Sequence, residues 1–526
     1  MIVEWILDAI KDIKIAIILL TFIAVLMIVK QVFFNSLPPG PWGMPVVGYL
    51  FTIQKSKQPL HLQYCKLAKQ YGSICSFKLG HKLIVILSDF KIIKKTFGSD
   101  EFSGRPHTRF SDILGGYGIV NTDGELWKTE RKFLHRKLFG MFSNGKQNFE
   151  EKITSEVTLF IQWCASRHGR STNISYSLGM SISNVICNLI MGVRFHRDDL
   201  RFKKFMSHIE EGFKLFAKVS AANYMPFMEC WPSVKEVQKQ ISQNRMDMAQ
   251  FFQDTIDEQR RTYNENTTRH LVDNYLTEIE QARNENREKK LFEGKNHDRQ
   301  MQQILGDLFS AGMETVKTTL EWSLLLMMHN PDKAKAVQDE LDAVVGRKRL
   351  PTFADRPKLP ITQATIEEVL RRISVVPLGT THATTRNVIV NGYTIPAGTE
   401  VVPLLYAVNM DSKNWENPEA FEPSRFLNNG EFENQKKPYL PFGTGKRECL
   451  GFQLARMELF LYFSSLMHMF DLRPPEGKEL PSLRENAGIT ISPDPFDICL
   501  VHRDNLIDFL NNAEVNDVPV RNVGSH

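Results

Sequence analysis

The chain has 526 residues, 42% of them apolar and 24% charged, which is too long for a small stapled domain and too apolar for a disordered one. Its 65 basic and 60 acidic side chains leave a formal charge of only +5, so neither a nucleic-acid-coating protein nor an acidic tail is indicated. Seven scattered cysteines, Cys65, Cys75, Cys164, Cys187, Cys230, Cys449 and Cys499, exclude a disulfide scaffold and a zinc-finger array and fit the reducing side of a membrane.

From Ile15 to Val29 every residue is apolar except Thr21, and apolar character resumes at Val32 beyond Lys30 and Gln31. A helix needs about 20 residues to cross the hydrocarbon, a length reached here if Lys30 snorkels, so residues 1–34 are expected to form an uncleaved membrane anchor. A cleaved signal peptide is the competing reading, but no small-x-small site follows the apolar run. Flanking charges leave the orientation undecided; cysteine usage puts the bulk of the chain in the cytosol, where the sequons at Asn173 and Asn266 stay unused.

Residues 35–45 contain Pro38-Pro-Gly-Pro-Trp-Gly-Met-Pro45. Ring-locked residues cannot continue a helix, so a stiff spacer is expected there. Residues 46–503 show no repeat and no Pro/Gly/Ser-rich divide, which predicts one large domain. Helical spacing runs through Glu156 to Arg167, Ser181 to Met191, Phe205 to Val219 and Val234 to Tyr263. Short β-branched runs at Leu83–Leu87, Val388–Val390 and Glu400–Leu405 predict strands. Helices therefore dominate, with small sheets. The charged stretch 257–300 is expected to be a solvated helix face and a surface loop, and residues 504–526, polar and aperiodic, a flexible tail.

Gln300 to His329 carries apolar groups almost all round, as a buried helix does, and Asn330-Pro331 ends it. Within it lies Ala311-Gly-Met-Glu-Thr315. Alone, such a Glu-Thr pair more often reflects a hydroxyl bonded to the carbonyl one turn back than catalysis.

Phe442-Gly-Thr-Gly-Lys-Arg-Glu-Cys449-Leu-Gly451 is followed at once by an apolar helical stretch from Phe452 to Met469. A cysteine just ahead of a helix faces unpaired N–H groups and the positive dipole end, which favour the thiolate, the metal-binding form. The glycines allow tight turning, Phe442 offers a flat apolar face, and Arg447 a cation for a carboxylate. A Walker phosphate loop is excluded, because Arg447 follows Lys446 where Ser or Thr is needed.

This decapeptide, together with the Glu314-Thr315 helix, resembles the haem-binding loop and oxygen-side helix of the cytochrome P-450 family, over nearly the whole chain from the Pro-rich spacer to Arg503. The resemblance implies a mainly α haem domain with small β-sheets, haem b with Cys449 as axial iron ligand, O₂ as cosubstrate and Phe442 beside the haem. It implies that Trp127, Arg131, His382 and Arg447 hold the haem propionates, that Thr315 and Glu314 act on bound dioxygen and its protons, and that Glu368, Arg371 and Arg425 form a structural ion network. Glu-x-x-Arg also occurs at Glu258, Glu280 and Glu422; only Glu368/Arg371 lies at the family's distance before the cysteine. Ser424 stands where the family often has Glu, and Val316 where many members have a second Thr or Ser. By analogy the pocket draws on Phe110–Gly118, Phe213–Met225, Leu308–Thr315, Val375–Thr381 and Ile489–Ile491, with Phe309, Ala311, Val376, Leu378 and Ile489 as lining residues and a lipophilic substrate.

No dinucleotide or flavin motif is evident, so electrons are expected from an NADPH-dependent reductase in the same endoplasmic reticulum membrane, with cytochrome b5 as a further partner. Lys128, Lys132, Arg136 and Lys137 offer a basic docking face. The runs Leu291–His297, Asp307–Trp322, Glu368–Arg372 and Ala455–Phe460 further resemble the ecdysteroid 26-hydroxylases of arthropods, a group within that family, which implies side-chain oxidation of 20-hydroxyecdysone. An ecdysteroid 25-hydroxylase and a broad-specificity oxidase are the neighbouring readings; outside oxygenases stand a haem-thiolate isomerase and a non-catalytic haem sensor.

Overall fold

The computed structural model describes residues 14–25, 27–28, 37–144, 146–433 and 438–503. Its long helices are α1 (Gly124–Asn144), α2 (Lys146–Ala165), α3 (Ser175–Met191), α4 (Leu200–Val219), α5 (Pro232–Arg261), α6 (Leu271–Asn284), α7 (His297–His329), α8 (Pro331–Val345), α9 (Pro360–Ile373) and α10 (Phe452–Met469). The four periodic predictions overlap α2, α3, α4 and α5; each helix starts earlier than the apolar spacing showed, and the predictions ending at Arg167 and Tyr263 run past the ends of α2 and α5. Ends are set by caps and prolines, which hydrophobic periodicity does not register.

Helix α7 is the axle. The Asn296 side chain accepts the Arg299 N–H at 2.9 Å and starts it. Pro331, at the first position of α8, ends it. Because apolar residues surround it, α7 packs against α3, α5, α9 and α10 at once. Leu320, Leu324 and Leu325 join Phe460, Phe463 and Leu466 of α10 in the largest core cluster. Trp322 is buried and donates its indole N–H to the Ile491 carbonyl at 2.8 Å, so its polar atom is satisfied.

A four-stranded sheet stands beside the helices in the order β1 (Ile74–Leu79), β2 (Lys82–Leu87), β6 (Glu400–Pro403), β3 (His382–Ala383). β2 and β6 are parallel; the other pairs are antiparallel. β4 (Val388–Val390) and β5 (Tyr393–Ile395) form a separate hairpin. The expected strand Glu400–Leu405 stops at Pro403, and Leu405 opens the helix Leu405–Asn409.

Three expectations need revision or qualification. The charged stretch 257–300 is not only a solvated face, because α6 buries Leu271, Val272, Tyr275, Leu276 and Ile279, and the turn after it buries Leu291 and Phe292. Polar residues dominate the composition there while the apolar ones share one side. The spacer is held to the domain: the Pro38 carbonyl accepts the Ser76 hydroxyl at 2.6 Å and the Pro39 carbonyl accepts the Ser76 N–H at 2.9 Å. A Cβ on Gly40 would sit 1.6 Å from the Ser76 carbonyl oxygen, so only glycine permits that approach. Residues 14–25 are helical, with Ile15, Ile18, Leu20 and Phe22 exposed, yet no helix among the described residues is long and apolar enough to cross a membrane. Much of the expected anchor, and all of the expected tail 504–526, lies outside the described residues.

Candidate active site

The Cys449 loop is closed by its own backbone. The Cys449 N–H donates to the Phe442 carbonyl at 2.9 Å, and the Glu448 N–H to the Gly445 carbonyl at 3.2 Å. Gly445 has φ +76°, and a Cβ there would lie 1.9 Å from the Phe97 carbonyl oxygen, so this glycine is required twice over. Phe442 is covered by the Arg456 guanidinium, 5.0 Å from its ring centroid.

Cys449 lies just ahead of α10 and is accessible to solvent as a residue, although protein surrounds its sulfur on nearly every side. Both hold together only if the thiol opens onto an internal cleft. Burial raises the thiol above its ordinary range, against the lowering effects of the Gly451 N–H and the Arg131 charge. The Gly451 N–H and the Arg131 charge act in the expected direction, toward the thiolate, and burial acts against them.

Beside the cleft four cationic or potentially cationic side chains converge. Arg447 donates Nε to the Ser103 carbonyl at 2.8 Å, Nη1 to Ile119 at 3.3 Å and Nη2 to Thr122 at 2.6 Å. Arg105 donates Nε to the Val120 carbonyl and Nη1 to that of Thr381, both at 2.8 Å. Arg131, one turn beyond Trp127 on α1, donates Nη2 to the Glu448 carbonyl at 2.7 Å. His382 on β3 makes a 2.7 Å bond from Nδ1 to the Phe102 carbonyl, and its ring lies 4.1 Å from that of Phe97.

Burial, then the neighbouring guanidinium charges, pull Arg447 down to about 8 and Arg105 to about 10, while His382 falls to about 3. Among the described residues, Asp123 is the acid that opposes this on Arg105 and Arg447, and Cys449 and Glu448 oppose it on Arg131. So much buried positive charge against two carboxylates calls for a dianion.

On α7, Ala311 is exposed although it lies between the buried Phe309 and Met313; a gap in mid-helix packing is open there. The Thr315 hydroxyl donates to the Ala311 carbonyl at 2.8 Å, the back-bonded geometry that an ordinary buried threonine adopts. Glu314 Oε1 accepts from Thr318 at 3.3 Å and from Thr490 at 3.4 Å. Val316 is buried in the core.

The Glu368, Arg371 and Arg425 side chains meet. Arg371 binds Glu368 through Nε at 2.7 Å and Nη2 at 2.8 Å, and gives its remaining protons to the Asn409, Pro418 and Ala420 carbonyls. Arg425 Nε stands 3.4 Å from Glu368. Both members of the central pair are fully buried, and none of the three touches the Cys449 cleft.

The expected pocket residues separate. Phe309 is fully buried, edge-on to Phe205 at 4.9 Å and Phe202 at 6.3 Å; it belongs to the core rather than to a cavity wall, because helical spacing marks apolar residues without saying which face is open. Val376 and Leu378 are half-buried, and Ile489 is exposed. Two participants were missed from the sequence. Arg105 sits in an irregular segment with no periodic signal. Asp307 accepts the Ile119 and Val120 N–H groups at 2.7 and 2.9 Å, tying α7 to the loop that Arg447 grips; an acid inside an otherwise apolar helix was the available sign.

An internal cysteine sulfur beside a buried arginine cluster in a mainly helical domain defines a site for a planar metal complex with two carboxylates, the haem-thiolate class of protein. The chain belongs to the cytochrome P450 family, whose sequence profile matches residues 38–500. It is 50% identical over 473 residues to cytochrome P450 18a1 of Drosophila melanogaster, covering 89% of this chain and 87% of that one. It is 36% identical over 499 residues to human cytochrome P450 2U1, covering 89% and 90%, and 32% identical over 470 residues to human cytochrome P450 2J2, covering 89% and 91%. The protein is thus a monooxygenase that uses haem iron on a cysteine thiolate, O₂, a small-molecule substrate and electrons from a redox partner. The donor set fits that cofactor, with a soft sulfur for iron and unpaired buried cations for propionates.

Proposed function

We propose that this chain hydroxylates the side chain of an ecdysteroid, 20-hydroxyecdysone at C26, and thereby inactivates the hormone, from the cytosolic face of the endoplasmic reticulum. The observation that carries the oxygenase reading is the accessible Cys449 next to the buried arginines. The steroid rests on the resemblance of Asp307–Trp322, Glu368–Arg372 and Ala455–Phe460 to arthropod ecdysteroid 26-hydroxylases. Residues 1–34 anchor the protein in this reading. Electrons come from an NADPH-dependent reductase, with cytochrome b5 as a second donor, meeting the exposed Lys128, Lys132 and Arg136 of α1; opposite charge steers such encounters.

In the reaction one oxygen atom enters a C–H bond and the other leaves as water, which consumes two electrons and two protons. When bound, the haem supplies the iron at which O₂ is activated, with Cys449 as its ligand. Arg131, Arg447, Arg105 and His382 would hold its propionates. The Thr315 hydroxyl, turned from the Ala311 carbonyl toward the open gap, donates a hydrogen bond to the oxygen side and so positions a proton there. Glu314, held by Thr318 and Thr490, keeps a proton reserve within reach. Val376 and Leu378 offer apolar surface to a lipophilic body.

Incubating membranes containing the protein and added reductase with a panel of ecdysteroids, and weighing the products, tests the assignment. One added oxygen at the terminal methyl of 20-hydroxyecdysone is expected. Oxidation at C25, or of unrelated lipophiles alone, replaces the C26 reading. A Cys449→Ser variant that kept the reduced, carbon-monoxide-bound absorption band would overturn the oxygenase site itself.

A further inference from the structure

A second cationic cluster lies away from Cys449, at the start of α7. Lys295 Nζ stands 4.7 Å and the Arg299 guanidinium 4.3 Å from the centroid of one ring, that of Tyr117. Arg245, on α5, lies within range of both: the Arg299 charge lowers its proton affinity, after burial, and Tyr117 opposes that shift. Arg245 Nε is buried with no hydrogen-bond partner. Among the described residues no carboxylate pairs with any of the three. The acids on the adjoining turns are already engaged, Asp298 with Arg260 at 2.5 Å and Glu211 with Gln240 and Asn244 at 3.2 and 3.0 Å.

The arrangement is unfavourable by itself. Two cations stand over one aromatic ring and a third acts on it through its charge, and Lys295 and Arg299 flank the first turn of a 33-residue helix, where the dipole disfavours cations. Sequence has nevertheless made room for it. Gly115 and Gly116 both have φ +68°; a Cβ on Gly115 would meet Arg299 Nη2 at 2.8 Å, and one on Gly116 would meet Lys295 Nζ at 3.4 Å. Ile113, half-buried two residues before Gly115, packs against the buried Leu215, Val234 and Ile241, the last one turn before Arg245.

We infer that Arg245, Lys295 and Arg299 beside Tyr117 form a binding site for a lipophile that carries a phosphate monoester, with the dianion among the three cations and the apolar body against the half-buried Ile113. Two guanidinium forks and an ammonium match three phosphate oxygens, and a dianion compensates the trio better than a monoanion does. Phosphatidic acid in a membrane offers the same headgroup, so the source is part of the test. The inference is independent of the ecdysteroid assignment, since binding is measured without turnover.

Equilibrium dialysis of the holoenzyme with phenyl phosphate, phenol and inorganic phosphate reads the site directly. Phenyl phosphate is expected to bind saturably and about tenfold more tightly than either of the other two, the worth of one charge-assisted contact, and to weaken as salt is raised. An R245Q/K295Q/R299Q variant should lose that preference while retaining the carbon-monoxide band and the thermal midpoint. If the triple variant does not fold, R299Q alone should reduce the preference severalfold. No preference in the wild type, or a preference that survives the substitutions, overturns the inference. So does loss of binding to vesicles of phosphatidylcholine with phosphatidic acid while phenyl phosphate binding is unchanged, which assigns the cations to the membrane surface.

Discussion

The Arg447 guanidinium carbon lies 3.9 Å from the Trp127 ring centroid, so two residues more than 300 positions apart in sequence meet, guanidinium over ring, beside the Cys449 cleft. That contact and the three carbonyls the fork grips fix its orientation. Arg447→Lys keeps the charge but loses the guanidinium contact and most of those bonds. We expect it to cost about 2 kcal/mol of stability, the penalty of leaving buried carbonyls unpaired, and to lower haem content per protein; chemical denaturation and the ratio of haem to protein absorbance check both.

Arg371→Ala leaves Glu368 as a fully buried, uncompensated carboxylate. Breaking such a pair costs about 3–5 kcal/mol, so the variant should be recovered largely unfolded. Replacement by Lys should rescue little, because the bidentate geometry needs a planar fork. Soluble yield and circular dichroism decide this.

Thr315→Val should leave the fold intact, because the hydroxyl bonds only the Ala311 carbonyl of its own helix. If Thr315 supplies a proton to the oxygen side, product formation falls on the order of 10²-fold while NADPH oxidation continues and peroxide appears. Product, NADPH and peroxide measured in one incubation test it; unchanged coupling would make Thr315 a plain structural threonine.

Gly445→Ala forces a methyl group to 1.9 Å from the Phe97 carbonyl in a backbone conformation of φ +76°. The loop must move, and the thiol with it. A carbon-monoxide band shifted away from the thiolate position, with a lowered thermal midpoint, is the expected result.

Glu130 is buried, accepts the Tyr275 hydroxyl at 2.6 Å, and is raised to about 7 chiefly by burial, against the hydrogen bonds from Tyr275 and Gln300. A carboxyl raised in the folded state binds more protons folded than unfolded between its two values. Stability therefore falls as pH rises from about 4.5 to about 7, by about 3 kcal/mol at most. Glu130→Gln should flatten that slope in denaturation curves taken across the window.

Much of the frame was legible before folding. Periodicity found the interiors of α2, α3, α4, α5 and α7, since burial against several neighbours selects apolar residues at helical spacing. α6 escaped because its charged residues outnumber the apolar stripe that packs inward. Phe309 was misplaced for the opposite reason, being apolar on a helix near the site but turned into an aromatic cluster.

The sequence by itself determined the chemistry. One cysteine among fixed glycines, with Phe442 and Arg447, specifies a metal-binding turn, because only those residue types permit its backbone and its charge. Tertiary structure alone decided the electrostatics. Arg105, Arg131, His382 and Arg447 come from four separate segments, and their protonation depends on burial and mutual distance, which no local pattern encodes. The same holds for the thiol itself, whose proton is retained or lost according to how much protein surrounds it.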